Sequence, residues 1–131
     1  EILSKDPKAD LSALEAVSLG HLSQRATAYS ELSRRLLERD IPQVLLLHHS
    51  LLNALFLSDV IAQFRADGWT FVSPEVAYAD PVYRLEPDRP VPGQSLLVSI
   101  ARSNGVGRTP EILRLLDDAD AEIAELAKLG Y

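Results

Sequence analysis

The chain has 131 residues, a formal net charge of -6, and 47% hydrophobic against 24% charged residues. That length supports one domain with a real core, and the mixture is ordinary for a soluble globular fold. The acidic balance argues against general nucleic-acid binding, which needs a basic face. The lack of cysteine excludes disulfides and thiolate metal sites, and no apolar run reaches the roughly 18 residues of a membrane-spanning helix.

Methionine is absent too, and the opening Glu1-Ile2-Leu3 carries no basic-then-apolar signal segment. A processed start or a fragment explains both. Residues 1–9 are polar and read as a loop. Asp10 is placed to cap a helix beginning at Leu11, with Leu11, Leu14 and Val17 at spacings of three and Gly20 as its expected break. A stronger helix is predicted over Leu22 to Arg39, with Leu22, Ala26, Tyr29, Leu32 and Leu36 on one face. Asp40-Ile41-Pro42 ends it, because the residue before proline is pushed out of the helical region.

The next segment, Gln43-Val-Leu-Leu-Leu-His-His49, carries the most information. Four apolar residues, Val44 to Leu47, run without a polar break, which suits a strand covered on both faces. His48 then stands at the C-terminal end of a strand, where α/β enzymes place their chemistry. An amphipathic helix is predicted over Leu52 to Asp67, with Leu57, Val60, Ile61 and Phe64 as its stripe and Gly68 just past its end. Trp69-Thr-Phe-Val-Ser73 reads as a second strand by composition and alternation. Ser73 caps a short helix with Pro74 in its first turn.

The order αβαβα predicts an α/β fold with parallel strands and right-handed crossovers. Two parallel strands do not make a stable sheet covered on both faces. Further strands are therefore expected upstream or from another chain, and this favours a fragment. Beyond Asp80 the texture changes. Pro81, Pro87, Pro90, Pro92 and Gly93 mark an irregular connection, and Ser95 to Ala101 reads as a short helix. Ser103 to Arg108 is a turn-rich loop, and Thr109 caps a last helix that includes Ile112, Leu115, Leu116, Ile123 and Leu126.

Read in order, Gln43 to His48, Leu52-Asn53-Ala54, Gly68 to Glu75 and Ala79-Asp80-Pro81-Val82-Tyr83 resemble the C-terminal part of a polysaccharide deacetylase, carbohydrate esterase family four. Tyr29 to Gln43 resembles the helix that leads into the last catalytic strand of that family. The resemblance covers about Leu22 to Tyr83. It implies the C-terminal portion of a distorted (β/α) barrel with parallel strands over residues 1–83. Residues 84–131 then form an irregular connection and a helical tail. It implies an enzyme that removes acetyl groups from the N-acetylated sugars of a polysaccharide, using one divalent metal, usually zinc, and an aspartate base. Leu46-Leu47-His48 matches the family's Leu-x-His motif. By resemblance His48 protonates the departing sugar amine, and Leu46 helps form the pocket for the acetyl methyl group. The expected substrate is an exported glycan, and the expected location periplasmic or extracellular.

Departures from the pattern are specific. The family's Asp-Asp strand motif is absent, and none of His21, His48 and His49 lies four residues from another to form its His-x-x-x-His metal pair. Asp117-Asp118 is a pair by letters only, within a predicted helix. The expectation is that this segment alone holds no metal and is inactive. The upstream part of the same barrel is then its partner. The rival reading is a non-catalytic interaction module, or a pseudoenzyme with a deacetylase-like fold, docking through the helix Thr109 to Leu129. His48 can simply end a strand, His49 packs on the opposite side, and His21 is solvated. Trp69 and Phe71, on one strand face, suit core packing better than a sugar platform.

Overall fold

The computed structural model describes residues 10–90, 92–110, 112–113 and 118–130. Its elements are helices α1 (Ser12–Leu37), α2 (Leu51–Ala66) and α3 (Pro74–Tyr78), a 3-10 helix at Pro81–Arg84, and helices α4 (Leu96–Ser103) and α5 (Asp118–Lys128). Residues 110, 112 and 113 are also helical. No strand occurs among the described residues.

The long helix α1 organises the fold and packs against α2, α4 and α5. Leu32 and Ala28 on α1 meet Ile41, Val82 of the 3-10 helix, Leu97, Val98 and Ala101 of α4, and Ile112. Several serines share that buried face. Ser33 donates to the Ser30 carbonyl at 2.8 Å, which satisfies its hydroxyl inside the helix. Gly20 does not break α1, which runs through it unbroken. Neighbouring turns carry the helix past a residue of poor propensity. Asp10 accepts from the Ser12 amide at 2.9 Å, so the capping expectation lands one residue from the observed start.

Helix α2 buries Phe56, Val60 and Phe64, while Leu57 of the predicted stripe is 44% exposed. It closes in a Schellman motif. Gly68, at φ +88°, turns the chain in the left-handed region, so that its amide reaches the Arg65 carbonyl and the Trp69 amide reaches that of Phe64. The Trp69 and Phe71 rings stand edge-on to Phe64, with centroids 6.0 and 6.5 Å away. Ser73 caps α3, with Pro74 in its first turn, as the sequence indicates. Of the predicted terminal helix, Leu115, Leu116 and Asp117 lie outside the described residues.

The α/β expectation, with this chain as the C-terminal portion of a (β/α) barrel of parallel strands, is overturned. Residues 43–49 and 69–73 belong to no helix and no strand. An apolar or alternating run states only a willingness to pair, and a strand exists only where a second one satisfies its backbone. Among the described residues neither segment has such a partner. Helices account for the burial instead, and Val44, Leu45 and Leu46 are 49%, 49% and 82% exposed rather than sandwiched.

Just past α1, Glu38 takes the left-handed conformation at φ 57° and turns the chain back. Arg39 then forks onto Asp80, at 2.8 and 2.7 Å. Asp40 accepts from Ser30 Oγ at 2.6 Å and from Arg34 Nε at 2.9 Å, and these bonds hold its carboxyl below the usual range. Asp80 also accepts from the Val82 amide at 2.8 Å. The Arg39 bonds, and less so that amide, hold the Asp80 carboxyl at about 2, against burial, which acts the other way.

Two measurements test this arrangement. Leu32, 1% exposed, loses about 2–5 kcal/mol of stability on Leu32→Ala. Leu46→Ala changes it by less than about 0.5 kcal/mol. Urea midpoints check both, and a costly Leu46→Ala would return residues 43–49 to a buried strand. The depressed Asp80 value sets a pH window. An unfolded aspartate titrates near about 3.9, so the stabilisation from Asp80 is complete above that pH and disappears as pH falls toward about 2. Asp80→Asn is expected to lower the midpoint at pH 7. The gap to wild type then closes between about pH 4 and pH 2, whereas a gap constant with pH contradicts the assignment.

Candidate functional site

Residues 41–50 bridge α1 to α2 and carry both residues singled out by the sequence. The bridge is held at its start. Ile41 is buried in the core, and Tyr83 Oη donates to the Pro42 carbonyl at 2.8 Å. Burial, more than the neighbouring Tyr78 and Asp80, pushes the Tyr83 phenol up, so it remains a donor at neutral pH. Gln43 Nε2 is buried without a hydrogen-bond partner among the described residues, at the point where the chain leaves the core.

From Val44 to Leu46 the chain runs over the surface; Leu47 is half-buried, and His48, His49 and Ser50 are exposed. At the far end the bridge is held again. Ser50 is the N-cap of α2, and its Oγ accepts from the Asn53 amide at 3.2 Å. The Asn53 side chain reaches back the other way, and its Nδ2 donates to the His48 carbonyl at 2.5 Å. This is a reciprocal cap, in which the third helical residue returns a bond to the residues before the helix. It fixes the backbone that carries His48. The Ser-x-x-Asn spacing was available in the sequence as a helix-start signal, yet the tie to His48 was not.

The structure thus places Leu46 and His48 close together on one accessible segment, not at a strand end in an enclosed mouth. His49 is also exposed, and no strand puts it on an opposite face. His21 lies far along the chain within α1. Among the described residues no three of His, Cys, Asp and Glu gather to hold a metal ion. The described residues alone therefore do not assemble a divalent-metal centre. Phe71 is 55% exposed, with the Arg65 guanidinium 5.7 Å from its ring centroid, while Trp69 is half-buried. Both rings thus pack edge-on to Phe64, with Trp69 the more buried of the two and Phe71 largely at the surface.

Exposed apolar side chains continue beyond the bridge. Leu51, Leu55 and Leu57 on α2, then Phe71, Val72 and Val76, are each more than 40% exposed. No helix among the described residues is long and apolar enough to cross a membrane. Comparison with protein-family models, with curated proteins and with solved structures gave no match.

The cap at Ser50 is open to test. Ser50→Ala is expected to cost about 0.5–2 kcal/mol. Asn53→Ala is expected to loosen residues 47–49, read as lower backbone heteronuclear NOE values there with the rest of α2 unchanged. Unaltered values at residues 47–49 would mean that the Asn53 bond does not hold the histidine backbone.

Proposed function

We propose that this chain acts in the hydrolytic removal of acetyl groups from the N-acetylated sugars of a polysaccharide. In this reading His48 is the proton donor to the departing sugar amine, and Leu46 contributes to the pocket for the acetyl methyl group. The observation that carries it is the ordered series from Gln43-Val-Leu-Leu-Leu-His48 through Ala79-Asp80-Pro81-Val82-Tyr83, which resembles polysaccharide deacetylases. It rests on those residues and not on a shared barrel. The accessibility of Leu46 and His48 on a segment anchored at both ends is compatible with it.

The chemistry suits the residue types. An amine is a poor leaving group until it is protonated, and an imidazole titrates near neutral pH and can supply that proton. A leucine offers a methyl group only apolar surface. The divalent metal that such hydrolases use, usually zinc, finds no ligand set among the described residues. The metal ligands and the base would have to come from elsewhere, and the role proposed for this chain is limited to the acid and the pocket. Acetylated glycans of this kind are exported, so the reading sets the place of action in the periplasm or outside the cell.

One observation favours a second reading, a non-catalytic interaction module. Exposed apolar residues on the bridge and α2 occur as a series, not singly, and such series mark contact surfaces. Acetate release from an N-acetylglucosamine oligomer, measured with added zinc on the full-length protein that contains these residues, separates the two. Deacetylation predicts release that falls about 10²- to 10⁴-fold in His48→Ala and persists in His49→Ala. No release from metal-loaded protein over several acetylated glycans favours the module.

A further inference from the structure

A cleft of about 430 Å³ lies on another part of the molecule, between the chain near Arg89 and the loop that follows α4. Arg89, Arg102 and Arg108 line it, together with Pro90, Val106 and Ile112. No acidic side chain among the described residues lines it; Asp88, next to Arg89 in sequence, does not. None of the three guanidinium groups is in an ion pair among the described residues. This is an unexpected place for three of the 13 basic residues of a chain whose net charge is -6. Surface arginines ordinarily find carboxylates when acidic residues are in excess.

The cleft is built by local structure. Helix α4 ends in a second Schellman motif, in which the Gly105 amide reaches the Arg102 carbonyl and the Val106 amide reaches that of Ala101. Gly105 sits at φ +73° and sends the loop back over the helix end. The Arg89 amide donates to Ser103 Oγ at 3.0 Å, which ties the opposite wall to the last turn of α4. The Thr109 amide bonds the Gly107 carbonyl at 2.9 Å, and the Ile112 amide bonds Thr109 Oγ1 at 3.4 Å. Ile112, 1% exposed, anchors the floor in the core.

We propose that this cleft binds a phosphate-type dianion, as free phosphate or as a phosphate ester on a larger molecule. Each guanidinium presents a planar fork of donors that matches phosphate oxygens, and it remains charged at every physiological pH. Three positive charges, with no carboxylate among the described lining residues, leave an uncompensated field, which the low-dielectric protein beneath Ile112 strengthens. Beyond about 8 Å at physiological ionic strength the acidic remainder of the chain is screened. Two negative charges and three terminal oxygens answer three forks better than one carboxylate does. The proposal is independent of the deacetylase reading.

The test is a titration of the full chain, followed by amide chemical shifts, with inorganic phosphate, a sugar 1-phosphate and acetate in separate arms at low salt. Saturable shifts confined to residues 89–90 and 102–112, with phosphate binding at least tenfold tighter than acetate, support the site. Tighter binding of the sugar phosphate than of inorganic phosphate assigns the ester as the source, and the reverse order assigns the free ion. The double variant Arg102→Gln, Arg108→Gln is expected to weaken binding at least about tenfold, because each charge-assisted bond lost is worth about a factor of ten or more. Lysine at both positions is expected to fall between, since it keeps charge and loses the fork. Unchanged thermal unfolding of the glutamine variant shows that it still folds. The proposal fails if the shifts are scattered over the surface, if acetate binds as well as phosphate, or if the folded glutamine variant binds like wild type.

Discussion

Much of this structure depends on how the chain leaves α1. A 26-residue helix that buries Leu32 against residues far along the chain needs its C-terminal end held in place. Glu38 supplies the turn, and Arg39 and Asp40 then bond in opposite directions, Arg39 forward to Asp80 and Asp40 back to Ser30 and Arg34. Ile41 follows at once into the core, and Tyr83 grips the Pro42 carbonyl. The Arg34–Asp40 pair is more than half exposed, whereas Asp80 is only 11% exposed beneath Arg39; the worth of these bonds lies in geometry as much as in energy. The planar fork of Arg39 on Asp80 defines how the 3-10 helix meets the end of α1, and Val82 fills the core beneath that contact.

The same anchor explains why residues 43–49 lie on the surface. Once Ile41 is buried and α2 begins at its Ser50 cap, the residues between must span a fixed gap. The core cluster on α1 takes Ile41 and none of Val44, Leu45, Leu46 and Leu47, and the buried residues of α2 are Phe56, Val60 and Phe64. Burying Val44 to Leu46 would require a second layer that the described residues do not contain. Their exposure is a consequence of helix placement, and it leaves His48 accessible. Accessibility is a condition for a proton donor and equally for a contact surface. The resemblance of the residue series, and not the geometry, separates those roles.

What was legible in the sequence is what local chemistry decides. The caps at Ser73 and Thr109 and the left-handed glycine after α2 all appear near their expected places, because each depends on a few neighbouring residues. The strands at Val44–His48 and Trp69–Ser73 were illegible for the opposite reason. Their reality depends on a partner that no local pattern reveals. Gly20 misled in a smaller way, since propensity is a weak prior inside a helix packed on three others. Of the candidate site, the identity of His48 and Leu46 came from the residue series, while the Asn53 bond required the start of α2 to be located within a residue.

Net charge taught a comparable lesson. A total of -6 rules out an extended basic face, and that exclusion is about the average. Arg89, Arg102 and Arg108 are separated by 13 and 6 positions and show no motif in the sequence. They line one cleft because α4 ends in a turn that reverses the chain, and because Ser103 ties the proline-rich approach to that end. Composition constrains the field far from the molecule, which physiological salt attenuates over about 8 Å. The field inside a cleft is decided by the few charges that line it. An acidic protein can therefore carry a local site of the opposite sign wherever backbone geometry gathers arginines and leaves the carboxylates outside.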